Sequence, residues 1–365
     1  MRPDLLAITV LASLEGMGPR RLAAVVAAHG PVEALTRLRA GRSLDVALDA
    51  GLVRSWRTEA ATLDDATIAG AVAAGAMTVS RPGDPEHPVA LVTDIDPAPV
   101  LFRRGLPFTE SIPRVAIVGT RRCTGLGRDV ARELGHGLAE AGVSVVSGLA
   151  LGIDGAAHHG VLQAHGAPPI AVVGGGADVV YPKRHHQLWA SLEAAGTIAS
   201  EAPPGAAPTR WRFPARNRLI AALSDIVVVV ESRRAGGSML TVDEAIRRDR
   251  QVMAVPGSVR NPAAVGTNGL LADGCAPVTS VDDVVVALGL GAVHRRSTGS
   301  ARPEPAGAEV PEHLADVFDA VDDGATTIDT IIGRVGRPAA VVLAAVGELA
   351  GRGLVVDDGA DVRRA

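Results

Sequence analysis

Arg210, Arg212, Arg216 and Arg218 fall within one nine-residue stretch, RWRFPARNR, beside Trp211, Phe213 and Asn217, and no carboxylate occurs between Glu201 and Asp225. The stretch thus concentrates positive charge and stacking surface, which can serve a ligand. A structural reading competes: Asn217 and one arginine can satisfy buried backbone groups and pair with Asp225 or Glu231. The rare residues gather in the same region. Lys183 is the only lysine, Tyr181 the only tyrosine, and Asn217, Asn261 and Asn268 are the only asparagines. The formal net charge is -4, which argues against wholesale coating of duplex DNA yet says little about a local patch.

Other constellations carry less. Asp154 and His158, spaced i,i+4 with His159 adjacent, could face a metal, but no third ligand stands at suitable spacing. Asp154 is expected as a helix N-cap and the histidines as packing groups. His185, His186 and Glu201 raise acid/base chemistry without a spacing that lifts it above a solvated surface. Cys123 and Cys275 supply neither a disulfide framework nor a zinc site. In VGTRRCTGLGRDVA the G-x-G at Gly125 and Gly127 comes late, Val130 replaces the third glycine, and no acidic residue closes the next strand, so NAD binding is disfavoured. No cofactor is called for.

The elements that must position these groups follow from periodicity. With 365 residues and 47% hydrophobic content, two or three domains are expected. Residues 1–78 read as a helical domain of helix-hairpin-helix or SAM-like type, with apolar Leu11, Leu14, Leu22, Val25 and Val26 around Gly16-Met17-Gly18. That turn either presents N–H groups to a phosphate between Arg20 and Arg21 or simply joins two helices. A Pro-rich connector, 79–112, leads to 113–290, where RVAIVG, VSVVSG, PIAVVGGG, TIAS, DIVVVVE and QVMAVPG alternate with amphipathic lengths. Continuous apolar strands are buried on both faces, so an α/β domain is expected: a Rossmann-like, doubly wound, mostly parallel sheet. Ligands of such sheets bind beyond the carboxyl ends of the strands. The loops there include Gly119-Thr120-Arg121, Ser147-Gly148 and Glu231 to Met239, rich in bare amides and hydroxyls that suit phosphate. No segment has the roughly 18 uninterrupted apolar residues of a membrane span, and Asp4 interrupts any secretory leader, so a cytoplasmic protein is expected.

In order and spacing, VAIVGTRRCTGLG, VSGLALGIDGAAHHG, GGGADVVYPKR, SEAPPG, FPARNRLIAALSDIVVVVES, GGSMLTVDEA and AVPGS…GTNGLLADG resemble the DNA-processing protein A family, also called Smf. The resemblance spans Val115 to Gly274. It implies a non-catalytic protein that binds single-stranded DNA, forms a homodimer, and helps load the RecA recombinase during natural transformation. Arg121 occupies the arginine of a G-[ST]-R motif, Lys183 follows Tyr181-Pro182 where members place a basic contact, and Phe213-Pro214 with Arg216-Asn217-Arg218 match F-P-x-R-N-R. The expected nucleic-acid site is therefore Gly119, Thr120, Arg121, Gly148, Lys183, Arg212, Arg216, Asn217, Arg218, Gly237, Ser238 and Thr241, with Phe213 in a core role and stacking left to arginine planes or Trp211. Departures occur at Gly237-Ser238-Met239, Asp249-Arg250 and His185, where the family usually has S-G-S-L, Gly-Arg and Asn.

A linker, 291–309, precedes 310–365, whose three helical lengths and terminal hairpin are in winged-helix order. Five arginines face ten carboxylates there, so the domain is read as a protein-interaction module. The alternative to DNA binding is a nucleotide-handling enzyme of the phosphoribohydrolase type, because AGGSMLTVDE, with Glu244, partly matches a P-G-G-x-G-T-x-x-E loop.

Overall fold

Strands covered by helices on both faces must be apolar along their whole length, and five short runs satisfy this by being buried at every residue. The computed structural model describes residues 1–290, 310–322, 324–357 and 361–364. Strands β1 (Thr78–Ser80), β2 (Leu101–Gly105), β3 (Arg114–Val118), β4 (Ser144–Ser147), β5 (Ile170–Val172), β6 (Thr197–Ser200), β7 (Ile226–Val229), β8 (Gln251–Ala254) and β9 (Ala276–Pro277) form one sheet. Its order is β1-β2-β6-β5-β4-β3-β7-β8-β9. From β6 to β9 neighbours are parallel, while β2 is antiparallel to both β6 and β1. All six anticipated strands are present in a Rossmann-like, doubly wound sheet. The chain leaves β3 toward β4 on one side and returns to β7 on the other, so the switch point lies at the carboxyl ends of β3 and β7.

The Pro-rich segment 79–112 is not a connector. Most of β1 and all of β2 lie in it; Leu101 and Phe102 are buried, and Arg103 pairs with Glu86 at 2.7 Å. Its short runs, broken by Arg103-Arg104, lack the length that marks a strand in sequence.

The N-terminal region is helical, with helices at Pro3–Ser13, Pro19–His29, Pro31–Arg39, Ala50–Thr62 and Asp65–Ala74. Proline opens the first three, where its missing N–H costs nothing. Leu11, Leu14 and Met17 share one core with Val100, Phe102, Val173 and Trp189 of the sheet region, and Met1–His294 is a single compact unit. In the hairpin, the amides of Met17 and Gly18 donate to Leu14 and Gly16 carbonyls at 3.0 and 2.9 Å, and Arg21 donates to the Gly16 carbonyl at 2.7 Å. Two of the turn's donors are thus taken within the turn, and the amide of Gly16 is not among them.

Arg295–Ala365 is a second compact unit. It contains helices Ala315–Asp322, Ile328–Val335 and Ala339–Gly351, then an antiparallel pair, β10 (Val355–Asp357) and β11 (Val362–Arg364), around Val317, Ile331, Val342, Val346 and Leu349. The expected linker 291–309 lies outside the described residues. Among the described residues no single helix is long and apolar enough to cross a membrane.

Helices Gly125–Glu140 and Ile153–Gln163, which lead out of β3 and β4, pack backbone to backbone. A Cβ on Gly135 would stand 2.2 Å from the Ala157 carbonyl oxygen, and one on Gly160 would stand 1.9 Å from that of Arg132. Glycine inside a helix ordinarily costs about 0.5–1 kcal/mol relative to alanine, so Gly→Ala normally stabilises. Here overpacking outweighs that gain, and Gly135→Ala or Gly160→Ala is expected to lower stability by roughly 1–3 kcal/mol in urea unfolding. A rise in stability would show that the two helices can move apart at no cost.

Candidate nucleic-acid interface

The RWRFPARNR stretch folds as the start of helix Arg212–Ala222, between β6 and β7, with Pro214 in the first turn where it is tolerated. Its 3.6-residue period sorts the arginines. Phe213, Arg216, Asn217 and Ile220, at i, i+3, i+4 and i+7, line a cleft of about 750 Å³ over the switch point. Gly119, Thr120 and Arg121 after β3 and Gly237, Ser238 and Thr241 after β7 form its other walls. Gly148 belongs to a smaller recess beside it that shares Arg121, Tyr181, Phe213 and Arg216.

Exposed cations ring this cleft. Arg121, Arg122, Arg210 and Arg233 all line it and all are exposed. The carboxylate in its lining, Asp154, is buried and accepts from the Gly148 amide at 3.2 Å. Tyr181 and Phe213 stack at 5.5 Å between centroids with their planes 40° apart, and the Arg121 guanidinium lies 5.1 Å from the Phe213 ring centroid. Among the described residues the amides of Gly237 and Ser238, just ahead of helix Met239–Ile246, donate to no protein group, which leaves two open donors at a helix start. Asn217 reaches the Gly237 carbonyl at 3.4 Å.

A buried frame holds these walls. Glu231, two residues beyond the end of β7, accepts from the Thr124 amide and hydroxyl at 2.9 and 2.6 Å and from Asn261 at 3.3 Å, while its own carbonyl accepts from the Thr120 amide at 2.7 Å. One residue thereby fixes the loops after β3, β7 and β8. Arg216 is buried and donates to the Val172 carbonyl, and burial pushes its guanidinium down to about 10, so it stays charged at neutral pH. Gly148 is the spacer beneath it: a Cβ there would be 2.3 Å from Arg216 Nη1 and 2.6 Å from Asp154 Oδ2. Burial raises the Asp154 carboxyl, opposed by Arg216. Asp154 is not an N-cap, since Gly152 caps Ile153–Gln163 and the Asp154 side chain turns to Gly148 instead.

Several expected contacts lie elsewhere. Arg218 is buried, ion-paired to Glu201 and bonded to the Asp96 carbonyl at 2.6 Å, so its charge serves the fold. This is the structural reading of the stretch with other partners, because Asp225 accepts from the Arg114 amide and Glu231 from Thr124 and Asn261. Lys183 sits in a turn at Lys183–His185 outside the cleft lining. Arg212 faces a different, smaller cleft. Phe213 is half-buried and belongs to the site wall rather than the core, where Tyr181 takes the place of apolar packing. Arg122, Arg210, Arg233 and Tyr181 line the cleft without being among the expected residues. Glu244, the residue of the enzymatic alternative, pairs with Arg247 and Arg248 away from the cleft lining. No group of three or more His, Cys, Asp or Glu able to hold a metal occurs among the described residues.

A doubly wound, mostly parallel sheet with a cation-ringed cleft at its switch point defines a Rossmann-like α/β protein. The model of the family described as DNA recombination-mediator protein A matches residues 78–289. Over 354 residues the chain is 37% identical to a Mycobacterium tuberculosis protein named as a DNA processing protein DprA, covering 91% of this chain and 87% of the relative. It is similar to the structure of DNA processing protein A from Streptococcus pneumoniae, with TM-score 0.64 and 28% identity over 78% of this chain and 98% of that one. A second similar structure, the Helicobacter pylori protein described for its single-stranded DNA binding mode, gives TM-score 0.52 and 28% identity over 58% and 95%. The chain belongs to the DNA recombination-mediator protein A family.

Two outcomes follow from the buried frame. Arg218→Ala is expected to cost about 3 kcal/mol of stability, near the lower end for a broken buried pair, because burial already lifts the Glu201 carboxyl to about 7 and it can take up a proton. Arg233→Ala, on the exposed rim, should change stability by less than about 0.5 kcal/mol. Equal melting temperatures for the two variants would contradict the assignment of Arg218 to the fold. His158 is fully buried and its pKa is pushed down to about 3 by burial. Unfolded, it titrates near the ordinary value of about 6.5, so its contribution is complete above that pH and is lost as pH falls toward 3, by up to about 1.4 kcal/mol per unit. His158→Gln should therefore flatten the acid limb of the stability–pH curve; an unchanged slope would mean His158 gains a proton without unfolding.

Proposed function

We propose that the cleft binds single-stranded DNA without turnover and that the protein acts as a recombination mediator, protecting the strand and helping to load RecA, as in natural transformation. The observation that carries this reading is the ring of exposed Arg121, Arg122, Arg210 and Arg233 around stacked Tyr181 and Phe213, with the lining carboxylate Asp154 buried beneath. A duplex would offer phosphates but no bare bases; a single strand offers both to this combination of cations and rings. The similar Helicobacter pylori protein, described for its single-stranded DNA binding mode, supports the same polymer. A nucleotide-handling, phosphoribohydrolase-type reading has less support, because Glu244 is engaged outside the cleft.

Assembly belongs to the same proposal. Leu240, Ile246 and Val265 are exposed on helices Met239–Ile246 and Val265–Ala272, which both cover β8, and a homodimer through this face would set two clefts on one strand and add avidity. The acidic C-terminal unit is assigned to protein contacts rather than to DNA, as a winged-helix-like module.

Four exposed arginines imply about four phosphates neutralised per cleft, and for single strands a slope of log affinity against log salt near -0.7 × 4, roughly -3. Anisotropy of a labelled oligonucleotide across salt concentrations should give that slope for the wild type and one flatter by about 0.7 for Arg121→Ala or Arg233→Ala, with melting temperatures unchanged. Salt slopes that stay put in both folded variants would remove the cleft from DNA binding.

A further inference from the structure

Helix Arg212–Ala222 has a second lined face. Arg212, Ala215, Arg216 and Leu219, again at i, i+3, i+4 and i+7, border the smaller cleft where the sheet meets the N-terminal hairpin, across from Met17 and Leu22. At its edge Trp211 is 48% exposed, and its ring lies 3.8 Å from where a Cβ of Gly18 would stand. The Arg212 guanidinium covers that ring at 4.9 Å from the centroid. Arg212 is half-buried, its Nε has no hydrogen-bond partner among the described residues, and burial lowers its pKa with no carboxylate to offset it. A guanidinium so placed has its desolvation uncompensated until an anion arrives. Beyond Gly18 come Arg20, whose side chain is 81% exposed and only loosely paired with Asp96 at 3.8 Å, and Arg21, exposed and bonded once to the Gly16 carbonyl. Arg210, the residue before Trp211, lines the main cleft. Cation, ring and cation therefore follow one another from the cleft onto the hairpin.

We propose that a bound strand leaves the main cleft over Trp211 and runs along the N-terminal hairpin, with one base stacked on Trp211 and the flanking phosphates on Arg212, Arg20 and Arg21. This rests on the single-strand reading and lengthens its footprint beyond the sheet. The hairpin takes part through the side chains of Arg20 and Arg21. Trp56 and Trp189 are 0% and 2% exposed, so indole quenching on binding reports Trp211.

The test uses full-length protein with oligothymidylates of about 6 and about 20 nucleotides, lengths that bracket common single-strand site sizes. Wild type, Trp211→Ala and the double variant Arg20→Ala/Arg21→Ala are compared by anisotropy, with indole fluorescence recorded in parallel. On the long oligomer, Trp211→Ala should lose roughly five- to a hundredfold in affinity, and the double variant should flatten the salt slope by about 1.4. On the short oligomer both should match the wild type, and quenching should appear with the long one alone. Equal loss on both lengths would place these residues in the main cleft, and loss on neither, or long-strand binding without quenching, would remove them from the path; each overturns the proposal. A wild type that binds neither oligomer would instead sink the single-strand reading on which it rests. The altered side chains are exposed, so melting curves of the variants should overlay that of the wild type.

Discussion

A guanidinium buried under the carboxyl edge of the sheet sets the geometry of everything above it. Arg216 is bonded to the Val172 carbonyl at the end of β5 and faces Asp154 across Gly148, so helix Arg212–Ala222 cannot roll without breaking a buried charge contact. Fixing that roll fixes which neighbours face outward. Phe213 and Asn217 are turned into the main cleft, Arg212 and Ala215 toward the N-terminal helices, and Arg218 into Glu201. The sequence concentrates positive charge in one stretch, and the fold divides that charge between structure and surface.

Glu231 performs the matching task on the opposite wall. Two of its acceptor bonds go to Thr124 and one to Asn261, so the loops after β3 and β8 are tied to the end of β7 by one carboxylate. Loops held this way keep their arginines at the rim without needing those arginines to make contacts of their own. The electrostatic consequence is a cleft whose cations are solvated and available while its acids are consumed below.

Most of the fold was legible before the structure because long β-branched runs and glycine-ended strands are strong local signals. β1, β2 and β9 were not: Arg103-Arg104 breaks the apolar run of β2, β9 ends on Pro277, and all three owe their conformation to neighbours already in the sheet. The loops around Gly119 to Arg121 and Gly237 to Thr241 line the cleft, and strand ends and bare glycines mark them in the sequence. The burial of individual arginines was not legible. Arg216 and Arg218 differ from Arg210 and Arg233 only in burial, a property of helix phase and of distant partners such as Asp96 and Val172. Phe213 shows the same limit: its ring is held by Tyr181, whose position no local pattern reveals.

The shared core between the N-terminal helices and the sheet bears on how such proteins are inherited. Leu11, Leu14 and Met17 cover Val100, Phe102 and Trp189, so residue 78 is no seam at which a gene could be cut and the pieces exchanged. A relative without these helices has to carry another cover, or polar substitutions, on that flank of its sheet. The separable boundary lies at the other end, between the two compact units, where a different C-terminal module can be appended while the cleft and its buried arginine are passed on whole.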